Sequence, residues 1–339
     1  MLLTSINARR AGTGPAPTIK RLLSLLAFAA IFLAVSLDAT QLLAQKRKKT
    51  GAASANAASA STAANSINVR TEPNAIVWLD EVRRGTTDAA GHLTLSKVTK
   101  VSGGRHVLRV RASGFREASI PWIAGRGNAN VRLVRTTDEA ELTFQQAEEA
   151  REKARDDAAK EKAAQLYRRA LELRPTLAAA HVGLARLLLD QNNYREALAE
   201  ISLARRARPV YPEASAVEGR IQRAAAFENE AIESYRRAIT EGRGFQPEAH
   251  TGLAIVLEDK GKLAEAAEEF NTAIAQLSDT EPVLYQLLGA VYEKQEKYKE
   301  AVTAYEKYLE LAPEGSLAPA IRSVIDQLRR EAAGQGLSP

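Results

Sequence analysis

The chain has no cysteine in its 339 residues. That absence excludes a disulfide, a thiolate metal site, a lipid-modified cysteine and a cysteine nucleophile, and it selects no compartment. Histidine is sparse, with four in all. His92 and His106 have no carboxylate–histidine motif beside them in sequence, and His181 and His250 occupy one recurring position of a repeat, which indicates packing rather than metal ligation. No glycine-rich loop leads into a helix. Gly103-Gly104 and Gly125-Arg126-Gly127 read as turns, so no phosphate cradle is expected. No serine sits in a nucleophile-elbow pattern. Acidic pairs such as Glu148-Glu149 and Glu268-Glu269 fall on polar helix faces. The sequence predicts no catalytic residue, no cofactor and no metal, and therefore no enzyme.

Long apolar runs are also lacking. The longest, Leu22 to Leu37, has 16 residues and ends at Asp38, whereas a membrane-crossing helix needs about 20. Arg9, Arg10, Lys20 and Arg21 precede it, and Leu42-Leu43-Ala44 offers a small residue where a signal peptidase cuts. Residues 1–44 are expected to be a signal peptide cleaved after Ala44, or a retained anchor in which residues 22–37 hold the protein at the inner membrane. Either reading places the bulk of the chain outside the cytoplasm, periplasmic or exported, in a bacterial cell envelope. The net charge of +6 misleads, because residues 1–50 hold eight Lys/Arg against one Asp, which leaves the remainder at −1. Within that remainder residues 67–135 are at +7 and residues 136–339 at −8. Nucleic acid is not an expected partner, and the membrane is expected to be met only through the N-terminal segment. Residues 45–66 read as a linker, basic and then rich in Ala and Ser. Gly51 to Ser66 carries no charge and no large apolar residue, so it cannot bury a core and would span roughly 20–24 Å as a flexible tether.

What is present is a repeat. Ala163, Ala197, Ala231, Ala266 and Ala301 follow one another at 34 or 35 residues. Four residues after each comes Tyr167, Ile201, Tyr235, Phe270 or Tyr305, and three further on Ala170, Ala204, Ala238, Ala273 or Tyr308. Residues spaced by four and three lie on one helix face, where the alanines admit a second helix and the large side chain fills the groove. Pro212, Pro247 and Pro282 stand 19 residues before their alanines and suit a first helical turn. Each copy is thus two antiparallel helices joined by a short turn. A period this long means stacked units that contact their neighbours and present an extended surface.

These residues resemble the tetratricopeptide repeat (TPR) family. The fifth copy, Pro282 to Pro313, carries Leu288-Gly289, Tyr292, Tyr298, Ala301, Tyr305 and Pro313 at the family's offsets. The second carries Leu184-Ala185, Tyr194, Ala197, Ala204 and Pro209, the third Gly219, Ala231, Tyr235 and Ala238, and the fourth Leu253-Ala254, Gly261, Ala266, Phe270 and Ala273. The first is degenerate, with an opening helix placed at Phe144 to Asp157 that lacks the family's glycine and tyrosine. The resemblance implies five repeats over 141–315 and a protein- or peptide-binding groove lined by the first helix of each unit. Carrying its groove offsets onto this chain gives Arg186 and Asp190 in repeat two, and Glu213, Arg220 and Arg223 in repeat three. Repeat four contributes Glu248, Thr251, Glu258 and Asp259, and repeat five Gln286, Glu293 and Lys294. Arg186 and Arg220 are expected to stack along the groove and to grip an acidic segment or a terminal carboxylate. After the array, residues 316–333 read as a capping helix with Leu317, Ile321, Val324, Ile325 and Leu328 on one stripe.

Residues 67–135 change period. Val69, Val77, Leu79, Leu93, Leu95, Leu108, Val110, Val131 and Leu133 alternate by two between turn clusters, which predicts six or seven short strands in an antiparallel sandwich. Pro73-Asn74-Ala75, Val77-Trp78-Leu79-Asp80, Gly85-Thr86-Thr87, Gly104 to Val110 and Gly114-Phe115 resemble a PEGA domain. Thr87 to Leu93 is similar to the transthyretin-like regulatory domain of carboxypeptidases. The whole is an α+β multidomain chain, a small β-sandwich followed by an all-α solenoid. Its expected function is a non-enzymatic envelope scaffold that binds a protein or peptide through the groove. Two alternatives stand beside it: a sandwich that binds cell-wall glycan through Arg105, Arg109, Arg111 and Trp122, and an assembly factor for a secretion or pilus system.

Overall fold

The computed structural model describes residues 66–80, 82–95, 98, 105–123, 128–277 and 280–335. The expected leader (1–44) and all but the last residue of the expected linker lie outside these. Among the described residues there are nine strands and eleven helices, and no helix is long and apolar enough to cross a membrane.

The strands are β1 (Ile67–Arg70), β2 (Ile76–Leu79), β3 (Val82–Thr86), β4 (His92–Leu95), β5 (Arg105–Arg111), β6 (Phe115–Arg116), β7 (Ala118–Ile123), β8 (Asn128–Asn130) and β9 (Val134–Arg135). They form sheets of order β4-β1-β8 and β3-β2-β5-β7, with β6 and β9 as a separate pair. The inward residues Ile67, Val69, Val77, Leu79, Leu95, Leu108, Val110, Ala129, Val131 and Leu133 make one buried core. The pairing is not purely antiparallel. β8 runs parallel to β1, Val69 opposite Ala129, so the end of the domain closes against its beginning. Turn chemistry predicts hairpins between neighbours and does not report a pairing this distant in sequence. At the β3–β4 turn the Asp88 carboxylate accepts from the backbone N–H of Ala90 and His92. Gly91 there has φ +77, and a Cβ on it would lie 2.0 Å from the Thr71 carbonyl oxygen, so no other residue fits.

The helices are α1 (Glu139–Lys153), α2 (Asp157–Leu173), α3 (Ala178–Asp190), α4 (Tyr194–Ala207), α5 (Pro212–Ala224), α6 (Glu228–Glu241), α7 (Pro247–Asp259), α8 (Leu263–Leu277), α9 (Pro282–Lys294), α10 (Tyr298–Leu311) and α11 (Ala318–Gln335). They pair as α1·α2, α3·α4, α5·α6, α7·α8 and α9·α10, five helix–turn–helix units stacked in order, with α11 against α10. The first unit opens at Glu139, five residues before Phe144, and its first helix ends before Asp157. Asp138 and Asp156, whose carboxylates cap the N-termini of α1 and α2, set those limits.

The anchor alanines and their large partners are fully buried or nearly so, as the spacing requires. The close approach has a further cause. An added Cβ on Gly183 would sit 2.4 Å from the Tyr167 ring, one on Gly289 2.6 Å from Tyr305, and Tyr235 is pinched between Gly219 and Gly252 at 2.8 and 2.3 Å. In units two to five the turn between the two helices passes through a left-handed residue, Asn192, Ala226, Gly261 or Glu296. The next N–H then bonds back across the turn, as from Asn193 to the Leu188 carbonyl at 2.8 Å. At the C-terminal end, Ile321, Ile325 and Leu328 of α11 cover Ala301, Tyr305 and Tyr308, with Leu317 and Val324 partly buried beside them.

Candidate partner-binding face

The first helices α1, α3, α5, α7 and α9 carry a row of charged side chains, and the structure ties most of them to one another. Arg186 on α3 reaches Glu213 on α5 (Nη1–Oε1 2.7 Å) and Glu248 on α7 (3.8 Å). Arg220 on α5 reaches the other oxygen of Glu248 at 3.2 Å. The two arginines are therefore brought together through a shared carboxylate, not as a bare cationic stack. Lys294 on α9 bonds Glu258 on α7 at 2.6 Å, and Glu293 accepts from the Tyr305 hydroxyl at 3.3 Å. Arg223 acts electrostatically on both Tyr235 and Asp259. Asp190 stands exposed at the end of α3.

Electrostatics follow from burial and pairing. Burial would lower the Arg186 pKa, but Glu213 and Glu248 together raise it. Burial would raise Glu213, and Arg186 followed by Arg109 of the sandwich hold it below the usual carboxylate range. Asp259 is pushed up by burial against the pull of Arg223 and Lys294, and Tyr235 is pushed up to about 12, mainly by burial.

Sequence reasoning missed the most buried part of this row. Glu148 on α1 accepts from the Tyr167 hydroxyl and pairs with Arg111 of β5 (3.2 Å) and with Arg151 (3.5 Å). Burial alone would raise its pKa; Arg151, Arg111, Tyr167 and Arg186 outweigh that and hold the carboxyl far below its ordinary range. Glu148 had read as an ordinary solvated acid. Its difference from Glu149, which pairs with Lys153 at the surface, has no sequence signal because it depends on a sheet folded against α1.

The histidines sit at structural joints. His181 Nδ1 lies 2.6 Å from Glu200 and its Nε2 2.9 Å from the Pro175 carbonyl. Both partners are acceptors, which only the doubly protonated ring satisfies fully. Against burial, which lowers it, Glu200 and the Pro175 carbonyl raise the His181 pKa. His250 repeats the geometry with Glu269 (2.5 Å) and the Gly244 carbonyl (3.2 Å). The constant offset of 19 residues between histidine and glutamate is the signal that would have revealed both pairs. Among the described residues no group of three or more His, Asp or Glu side chains converges where a metal ion could sit.

Arg109, Arg111 and Trp122, three of the four residues expected on a glycan-binding surface of the sandwich, have partners inside the protein. Trp122 is 6% exposed and packs on His106, whose Nδ1 lies 2.6 Å from Asp80. Arg109 and Arg111 stack on Trp78 and bond Glu117. These three side chains are held against the protein itself.

Family models described as tetratricopeptide repeat match residues 137–221, 218–282 and 282–314. A search of the curated proteins found no match. Similar solved structures include PilF of Pseudomonas aeruginosa, at 19% identity over 58% of this chain and 89% of that one, TM-score 0.49. Another is YrrB, described as a TPR protein with an unusual peptide-binding site, at 21% identity over 56% and 94%, TM-score 0.41. A third is a thermophilic TPR protein of Thermus thermophilus, at 20% identity over 56% and 98%, TM-score 0.45. With three consecutive matches running from residue 137 to 314 over five stacked helix pairs, the chain belongs to the tetratricopeptide repeat family.

Proposed function

We propose that the protein is a non-enzymatic scaffold of the bacterial cell envelope that binds a protein or peptide along the first-helix face of its repeats. Residues 1–44 would export it or hold it at the inner membrane. The family supports protein or peptide binding. The observation that carries the choice of face is the ion-paired row from Arg186 to Lys294, in which side chains of successive units are held in fixed order. Arg186, Arg220 and Lys294 already have carboxylate partners, so a ligand must exchange with Glu213, Glu248 or Glu258 rather than simply fill a positive patch. Charge-assisted contacts that are partly desolvated are worth about 1.5–3 kcal/mol, enough for such an exchange to select one partner over another.

The test is purification of the full chain from cells that produce it, with mass spectrometry of what accompanies it. The same experiment is done with Arg186→Ala plus Arg220→Ala. A partner lost or weakened on the order of tenfold in the double variant supports this face, since two charge-assisted contacts are removed. An unchanged partner set with the helical content intact would place binding elsewhere.

A further inference from the structure

We infer that the outer face of the β3-β2-β5-β7 sheet is the N-terminal cap of the helical array, an intramolecular docking surface that closes the first-helix row at its beginning. A solenoid unit buries both of its flanks, so a terminal unit needs a cover. At the C-terminal end that cover is α11. Before α1 the described chain offers no helix. It arrives from β9 through three residues, 136–138.

The sheet supplies the cover instead. Arg111 projects from β5 onto α1, where its guanidinium lies 4.9 Å from the Phe144 ring centroid and 3.2 Å from Glu148. Phe144 is only 4% exposed. Arg83 of β3 reaches Glu152 one turn further along α1, at 2.9 Å. Arg109 acts on Glu213 and Tyr211, so the sheet's influence extends to the start of α5. The joint is pinned as well. Gln145 accepts from the Gly114 N–H at 2.9 Å and donates to the Phe115 carbonyl at 2.7 Å, and the Thr136 N–H bonds the Gly114 carbonyl at 3.0 Å. A three-residue link with its backbone hydrogen-bonded is not a hinge. A segment laid along the first helices is therefore admitted only from the side of α5, α7 and α9, and the start of the row is occupied by the protein itself.

The test needs no external partner. A protease site placed in the full chain at residues 136–138 is cut, and the product is run on a sizing column at low and high salt. The two parts should travel together at low salt and stay together as the salt rises, because buried ion pairs are screened much less than exposed ones. Parts that separate at low salt while each remains folded by circular dichroism would overturn the inference. Hydrogen exchange gives a second reading. Arg111→Ala should speed exchange of amides in 139–173 by about tenfold or more, with 247–311 unchanged, since it leaves Glu148 buried without one of its cations. If Arg111→Ala unfolds the sandwich, Gln145→Ala approaches the same contact from the helix side. Unchanged exchange in 139–173 in that variant would also overturn the inference.

Discussion

The two ends of the array are made of the same helical unit but are closed by opposite chemistry. At the C-terminal end, α11 lays Ile321, Ile325 and Leu328 on Tyr305 and Tyr308. At the N-terminal end, Arg111, Glu148, Arg151 and Tyr167 form a buried ionic cluster beneath a β-sheet. Apolar burial is non-directional and tolerates small shifts. A buried ion pair holds only while its partners stay in register, and it is costly to half-remove. The C-terminal cover is thus built for adhesion and the N-terminal one for position.

The sharpest way to break this comparison is to remove one member from each end. Glu148→Ala removes the carboxylate shared by Arg111 and Arg151, leaving Arg111 only Glu117 and Arg151 the Tyr167 hydroxyl, and should cost about 3–5 kcal/mol, whereas Ile325→Ala leaves a cavity and should cost about 2–5 kcal/mol. The ends differ in rescue. Glu148→Leu combined with Arg111→Met should recover part of the N-terminal loss, because that buried pair is replaced together while Arg151 keeps only the Tyr167 hydroxyl. Urea denaturation of the three variants measures this. A double variant no better than Glu148→Ala would mean that the cluster is not held as an ion pair.

A smaller effect should appear with pH, in the middle of the array. The His181 pKa is raised on folding from an ordinary value of about 6.5. Its stabilising contribution is then complete below about pH 6.5 and is lost as the pH rises through the folded value. Glu200 faces it from α4 and Arg206 opposes protonation, so His181→Gln should flatten the loss of stability as the pH rises above about 6.5 without changing the helical content. A variant whose pH profile superimposes on that of the parent would remove His181 from the account.

The smallest expected change is a gain. Ala226 holds φ 62 at a turn where the equivalent fourth-unit residue is Gly261. Ala226→Gly should stabilise by about 1 kcal/mol or less, the left-handed strain relieved minus the entropy glycine loses on folding. Thermal unfolding would show it, and a destabilised variant would mean that the turn is not strained.

How much of this was legible in the sequence depended on whether a residue's role was local. The helix pairs, their turns and the α11 stripe come from spacings of three, four and 34–35 residues, and the structure has all of them. Arg186 and Arg220 could be placed on one face by the same arithmetic. Glu213 and Glu248 could be placed there too, but not as the partners of those arginines, since they lie 27 and 28 residues further on, on the next unit's first turn. Trp122 was expected at a surface; its register opposite His106 of β5 turns it inward, and that register is not readable from the local sequence. The role of Glu148 was invisible because it arises from two domains meeting. Gly183 and Gly252 carried a readable sign, each directly before a Leu-Ala pair, but their necessity appears only when the neighbouring tyrosine rings are in place.

The Tyr235 ring, held between Gly219 of its own unit and Gly252 of the next, has a consequence for anything that binds here. The gap between α5 and α7 is set by the thickness of one aromatic ring and the glycine hydrogens on either side of it. Arg220 and Glu248 ride on those helices, so their separation is gauged by a solid spacer and not by the side chains themselves. A ligand that touches both is read against a fixed ruler: it must match that interval, and a methyl group added at either glycine would shift the scale on which the match is made.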